Sequence, residues 1–436
     1  MPTTVSGTIL QTPEPGILQV LEDHVVTIDD EGVIASVVPR AGVVADRIHD
    51  TNEVLIPGLI DTHVHAPQWP QLGTALDLPL DQWLNDHTFP LEARFSDLAF
   101  AESVWASMVP SLLRNGTTTA VYFASIHEPA TIALAEACIE FGQRAFIGRV
   151  AMDHPDGTPE WYRDPSPSES VDATLRSVEA LRSMPDPLHL VQPMITPRFI
   201  PACSDAAMEG MGELAAATGV LVQTHCSEGD WEHGYVLERH GCTDSESLDR
   251  FGLVRPHTVL AHGTHLTGAD RKLLISKGAG VAHCPLSNSY FSNAVFRARA
   301  SLDSGLRVGL GSDIAGGPSA SLFVQCQQAV TSSRMLEDGL VPGVSGIKHS
   351  RIDIPTAFWT ATVGGADLLG IPAGLLEPGR VFDAVTLRIG EGSTVDVWDD
   401  FDDWDRTFEK LVRRSNPSNI SNVWVQGKCV TNQDPT

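Results

Sequence analysis

Six residues of the 436-residue chain are of the types that bind metals and move protons, and each sits at or just past the end of an apolar run. His63 and His65 close the run Gly58-Leu-Ile-Asp-Thr-His-Val-His65. Side chains of a strand alternate with a period of two, so both imidazoles of an H-x-H triplet face one side and can grip one metal ion. His225 ends Val220-Leu-Val-Gln-Thr224, His262 follows His257-Thr-Val-Leu-Ala261, and Asp313 follows Leu306-Arg-Val-Gly-Leu-Gly311. Imidazoles with one carboxylate make a nitrogen-rich set suited to Zn²⁺, with room for a reactive water. A lone histidine is more often a hydrogen-bonded core or loop residue, but repetition at four strand ends weighs against that reading. Glu228 lies three residues past His225. A carboxyl there can carry protons between water and substrate; its plainer reading is a helix-capping or solvated loop charge.

These residues meet only if the elements behind them converge. Eight short apolar runs recur from about residue 56 onward: Gly58–Asp61, Thr118–Phe123, Ala145–Val150, Leu188–Ile195, Val220–Thr224, His257–Ala261, Ala279–Ala282 and Leu306–Gly311. Helical stretches separate them, such as Phe100–Arg114, Pro129–Phe141 and Cys203–Thr218, the last opened by a Ser204-Asp cap. Strand and helix alternating eight times predicts an α/β fold, a (β/α)₈ TIM-type barrel. In such a barrel the C-terminal strand ends share one mouth, which brings the six residues together. A doubly wound sheet also alternates, but eight units favour closure, and no G-x-G-x-x-G follows the first strand. The first 55 residues read as short strands with a tight turn at Asp29-Asp-Glu-Gly32, and the tail returns to strands at Asp383–Leu387 and Val423–Val430. The expected organisation is a barrel over 56–372, with 1–55 and 373–436 together building a small β-sandwich domain.

Composition narrows the functions available. Lys and Arg number 29 against 55 Asp and Glu, a net charge of −26. Phosphate contacts need clustered cations, so nucleic acid is not an expected partner, and an anionic membrane is disfavoured for the same reason. No run of eighteen apolar residues is present to span a bilayer, and the start Met1-Pro-Thr-Thr4 has neither a basic nor an apolar segment of a signal peptide. Seven cysteines without a C-x-x-C argue against a disulfide framework or a thiolate zinc site. A cytoplasmic location is expected.

Taken together, Pro57-Gly-Leu-Ile-Asp-Thr-His-Val-His65, His225, His262 and Ser312-Asp313 resemble the amidohydrolase superfamily of metal-dependent hydrolases. Further motifs are similar to the branch of it that deaminates guanine. These are His63-Val-His-Ala-Pro-Gln68, Asp77-Leu-Pro-Leu-Asp-Gln-Trp-Leu84, Thr88-Phe-Pro-Leu-Glu92, Asn115-Gly-Thr-Thr-Thr-Ala120, Phe123-Ala-Ser-Ile-His127, Thr196-Pro-Arg-Phe199, Ala282-His-Cys-Pro285 and Gly309-Leu-Gly-Ser-Asp-Ile-Ala-Gly-Gly317. The resemblance covers residues 8 to 430 and implies hydrolysis of guanine to xanthine and ammonia, in purine catabolism or salvage. It implies one zinc per chain held by His63, His65, His225 and Asp313, with His262 and Asp313 handling the water and Glu228 shuttling the proton. Binuclear members of the superfamily bridge two metals with a lysine from the fourth strand; the first lysine of this chain is Lys272, so no bridge can form.

The same pattern points to Gln68, Arg198 and Phe199 for substrate binding. The chemistry agrees: Arg gives a donor fork for a carbonyl, Gln gives donor and acceptor, and Phe gives a stacking face. Trp83 is expected as a lid or wall aromatic or as a core residue. Cys226 and Cys284 are read as small apolar filler, and His127, His265 and His283 as structural. Pro67 and Leu286 stand where the branch usually has Ser and Asn. Another aminated purine, a pyrimidine or a triazine would use the same metal site, and a catalytically dead binding relative is the remote alternative. The family tendency is a homodimer acting on a small purine.

Overall fold

Eight parallel strands form the centre of the molecule. They are β1 (Leu59–His65), β2 (Thr117–Phe123), β3 (Arg144–Gly148), β4 (Val191–Pro197), β5 (Leu221–Cys226), β6 (Val259–His262), β7 (Gly280–His283) and β8 (Arg307–Leu310). Each pairs with the next in sequence order, and each coincides with one of the eight expected runs. The computed structural model describes residues 3–43, 45–49, 52–292, 294–398 and 400–431. The seam between β8 and β1 is joined just beyond β8: Asp313 N–H donates to the His63 carbonyl at 2.9 Å, and His65 N–H donates to the Ile314 carbonyl at 2.8 Å.

The helices between strands begin and end where local chemistry directs. Leu98–Arg114 opens on Asp97, whose carboxylate accepts from Ala99 N–H and Phe100 N–H. Asp205–Thr218 opens on Ser204, which accepts from Ala207 N–H, as the sequence indicated. The barrel interior is filled by Ile60, Val121, Phe146, Met194, Val259 and Ala282, and Ala366, Leu368 and Leu369 of the helix Val363–Leu369 pack against them.

Strands from both chain ends build one mixed sheet in the order Lys428–Cys429, Ile420–Val425, Ala384–Arg388, Glu53–Pro57, Thr3–Glu14, Ile17–Ile28, Ile34–Pro39. Among the short strands expected in the first 55 residues, the stretch before the turn at Asp29 includes one long strand, Ile17–Ile28, because shifts in pairing near Gly7 and Gln11 let it follow Thr3–Glu14 throughout. The expected strand Val423–Val430 is a hairpin, turned at Gln426 and Gly427, both in the left-handed region. A helix that the sequence reading omitted, Trp404–Arg414, buries Phe408, Leu411 and Val412. The chain crosses from this sheet into the barrel at Gly58, where any Cβ would lie 2.2 Å from Thr118 Oγ1.

The sheet is tied to the barrel by a buried ion pair, Arg144 of β3 with Asp383, at 3.2 Å. Asp383 also accepts from Gln426 N–H at 2.7 Å. Removing one partner of such a pair strands a buried charge, at a cost of about 3–5 kcal/mol. Asp383→Ala is therefore expected to lower the unfolding free energy from urea titration by an amount in that range, and with it the midpoint. An unchanged midpoint would show that the sheet does not rely on the pair.

Candidate active site

Five of the six residues converge on one point at the C-terminal mouth of the barrel. His63 and His65 come from β1, His225 from β5, His262 from β6, and Asp313 from the turn after β8. Two overlapping sets, His63–His65–His225 and His63–His262–Asp313, each place their ligand-type atoms within 4.8 Å of one another. His65 Nε2 and His225 Nε2 are 2.9 Å apart. His63 Nε2 lies 3.2 Å and His65 Nε2 3.6 Å from Asp313 Oδ1. Yet the Nε2 atoms of both His63 and His262 are buried without a hydrogen bond. Buried nitrogens facing each other and one carboxylate, two of them without a hydrogen bond, fit a cation at the centre.

The backbone is bent to make this meeting. His262 and Asp313 both have positive φ, 74° and 49°, a conformation that costs non-glycine residues on the order of 1–3 kcal/mol each. Gly311, two residues before Asp313, leaves room for the cluster: a Cβ there would lie 2.9 Å from His63 Cβ and 3.0 Å from Cys284 Sγ. Asp61 braces the seam by accepting from Ser312 N–H at 2.9 Å, and burial pushes its carboxyl up to about 7.

Partners behind the cluster orient the rings. His225 Nδ1 is 2.5 Å from the Arg198 carbonyl, so Nδ1 carries the proton and Nε2 turns its lone pair to the centre. His262 Nδ1 is held in the same way by Asn288 Oδ1 at 3.0 Å. Phe123 packs against His63, His65 and His225, with ring centroids 4.8 Å away in each case.

Glu228 stands beside the cluster rather than in it. Its Oε2 is 3.7 Å from His262 Nε2. Burial, and then the nearby Asp313 carboxylate, push its carboxyl above the ordinary glutamate value, although His262 and Arg198 work the other way. Its backbone N–H donates to Glu232 at 2.7 Å.

Above these residues is a cavity lined by His65, Gln68, Arg198, Phe199, Glu228 and Asp313 among others. Every substrate-binding candidate from the sequence therefore reaches the same space as the metal candidates. Trp83 also lines it and is only 3% exposed, so it is both wall and core; it packs on Phe291 at 5.0 Å. Leu286 is not on the wall. Its neighbour Ser287 takes that place, and Asn288 reaches His262. Cys226 and Cys284 are buried beside the site, and all seven cysteines are free.

Two residues were missed from sequence. Glu92 binds both Gln68 and Arg198, and Asn288 binds His262. Glu92 lies in a motif that carried the resemblance and Asn288 three residues past another, but a buried side chain's partner is not readable from a motif.

A parallel barrel with an H-x-H on its first strand, a histidine on each of the fifth and sixth and an aspartate after the eighth defines a metal-dependent hydrolase scaffold. Residues 54–430 match the Amidohydrolase family, and the chain belongs to it. It is 35% identical to the probable guanine deaminase of Schizosaccharomyces pombe over 98% of this chain and 82% of that protein. The solved structure of guanine deaminase from C. acetobutylicum with bound guanine in the active site superposes with a TM-score of 0.88, at 30% identity over 98% of this chain and 100% of that one. An adenosine deaminase from Xanthomonas campestris with bound zinc matches with a TM-score of 0.82, at 25% identity over 98% and 92%. No helix among the described residues is long and apolar enough to cross a membrane.

The cluster also sets a pH dependence. Burial first, and then the neighbouring imidazoles, hold His65 and His225 well below the ordinary value of 6.5. Burial likewise lowers His63, against the pull of Asp313. The unfolded chain therefore binds these protons more readily, so their contribution to stability is present above pH 6.5 and is lost as pH falls below it. Metal-free protein is expected to melt at a lower temperature at pH 5.5 than at pH 7.5, with a smaller difference in His65→Gln. Equal melting temperatures would rule out buried neutral imidazoles.

Proposed function

We propose that the chain hydrolyses guanine to xanthine and ammonia, using one zinc ion held by His63, His65, His225 and Asp313. The observation that carries this reading is one cavity lined at once by His65, His225, His262 and Asp313 of the cluster, by Glu228, and by Arg198, Gln68 and Phe199. The full-length likeness to guanine deaminases supports the substrate, and the nitrogen-rich donor set supports zinc.

Bound zinc supplies Lewis acidity that makes water a nucleophile at neutral pH. Asp313 and His262 are placed to hold and take the proton of a water at the cluster. Arg198 and Gln68 grip the polar edge of the purine, and Phe199 supplies a flat apolar face. This sets C2 over the cluster. The water oxygen bonds to C2 while Glu228 delivers a proton to the ring nitrogen beside it. The hydroxyl proton of the resulting tetrahedral carbon passes to the exocyclic nitrogen, whose bond to C2 breaks to release ammonia and leave the carbonyl of xanthine. The proton taken by Asp313 and His262 restores Glu228. Its raised carboxyl suits that task, because an acid that ionises nearer neutrality gives and recovers a proton more readily. His262 is also near enough to stabilise charge developing on oxygen.

The division into a catalytic barrel over 56–372 and a smaller unit from 1–55 and 373–436 fits the change of sheet at Gly58. A homodimer in the cytoplasm completes the reading.

Ammonia and xanthine measured from guanine by metal-analysed protein test the assignment. Activity and about one zinc per chain are expected; two tightly bound metals per active chain, or no turnover of guanine, would overturn it. His63→Ala and Asp313→Ala are expected to lose metal or activity. Glu228→Gln is expected to keep its metal and lose about 10²–10⁴-fold in kcat, and near-normal turnover would remove Glu228 from the reaction. Arg198→Ala should erode the preference for guanine over adenine, which lacks the carbonyl and can otherwise be rejected by about 10⁴–10⁵. If a folded Arg198→Ala protein keeps the full preference, the residue is not the reader.

A further inference from the structure

Glu92 is bonded to both proposed substrate readers at once. Its Oε1 accepts from Gln68 Nε2 at 2.8 Å and from Arg198 Nη2 at 3.1 Å, while its Oε2 accepts from Arg198 Nη1 at 2.6 Å. The other end of the Gln68 amide is also engaged: its Oε1 accepts from Ala315 N–H at 3.1 Å. An amide held between a carboxylate and a backbone N–H cannot flip, because flipping sets oxygen against oxygen and N–H against N–H. Gln68 can therefore offer the cavity its remaining N–H and lone pair in one sense only.

Arg198 is fixed just as firmly. Two of its five N–H donors go to Glu92 in a fork, its guanidinium lies 5.0 Å from the Phe89 ring centroid, and it is 3% exposed. Burial opposes its charge, but the Glu92 carboxylate outweighs that and holds its pKa above the ordinary value. The pair is neutral overall, so the remaining donors suit an uncharged lactam better than an anion. Glu92 itself is not on the cavity wall, so anything it does to substrate passes through Gln68 and Arg198.

We infer that Glu92 is the positioning residue that decides which purine edge this site reads, by locking the Gln68 amide in one sense and the Arg198 fork in one plane. The inference rests on the roles given to Gln68 and Arg198 under the proposed function. The probe is 2-aminopurine, which keeps the C2 amine of guanine but has no carbonyl at C6. Glu92→Asp retains the charge that Arg198 needs, but is one methylene too short to hold Arg198 and Gln68 together.

The kinetics of wild type, Glu92→Asp, Glu92→Gln, Gln68→Ala and the Gln68→Ala/Glu92→Asp double variant on both purines test this, with metal content and melting temperature measured alongside. Glu92→Asp is expected to keep its metal and fold. Its kcat/KM ratio of guanine over 2-aminopurine should fall at least tenfold, with the loss mainly in KM for guanine. The effect should be clearly smaller in the Gln68→Ala background, since residues acting as a unit are not additive. Glu92→Gln removes the counter-charge from buried Arg198; if it fails to fold, Glu92→Asp decides alone. An unchanged ratio in folded, metal-loaded Glu92→Asp, or an equal loss on both purines, would overturn the inference while leaving guanine deamination intact. A wild type that does not turn over guanine, or does not prefer it to 2-aminopurine, would instead overturn the substrate reading and this inference with it.

Discussion

Lone pairs that face one another in a buried place are the constraint on which this molecule is organised. Four imidazoles and one carboxylate meet at the barrel mouth with almost no solvent. Their repulsion and their unmet hydrogen-bonding capacity make an isolated cluster unfavourable. A centrally bound cation turns that cost into the source of binding, because the buried ring nitrogens already face one another and Asp313. The ring orientation is prepaid by the Arg198 carbonyl on His225 and by Asn288 on His262. A site prepared in this way loses little freedom when it binds.

The barrel is what makes such a meeting affordable. Parallel strands deliver their C-terminal ends to one mouth, but regular strand geometry does not by itself aim every side chain inward. The left-handed conformations of His262 and Asp313 and the open space at Gly311 supply the last adjustments. Backbone bonds from Asp313 to His63 and from His65 to Ile314 close the seam at the same place. Closure of the fold and assembly of the cluster are therefore one event. Loosening the seam would separate the residues of β1 from Asp313.

Arg198 links the two halves of the site. Its carbonyl orients a histidine of the cluster, and its side chain lines the cavity, so the cavity wall and the geometry of the cluster share one residue. Glu92 neutralises that side chain where no water can do so. A bare buried guanidinium would be costly and would favour anions, whereas the paired one is neutral with its carboxylate and leaves directional donors at the cavity.

Much of this was legible in the sequence, for a physical reason. The alternation of apolar runs with helices follows from burying strands inside and helix faces against them, and it gave all eight barrel strands. The period of two in a strand placed His63 and His65 on one face. The strand-end positions of His225, His262 and Asp313 placed them at the same mouth, and the late first lysine at Lys272 argued against a bridged metal pair. The tertiary structure decided what depends on distance rather than pattern. It showed that Glu92 reaches Gln68 and Arg198, that Asn288 reaches His262, and that Ser287 rather than Leu286 meets the cavity. It also turned the expected tail strand at Val423–Val430 into a hairpin and added the helix Trp404–Arg414. A motif records which residue types occur and how far apart they are along the chain. Pairing between side chains many residues apart is set by packing, and packing exists only once the barrel has closed.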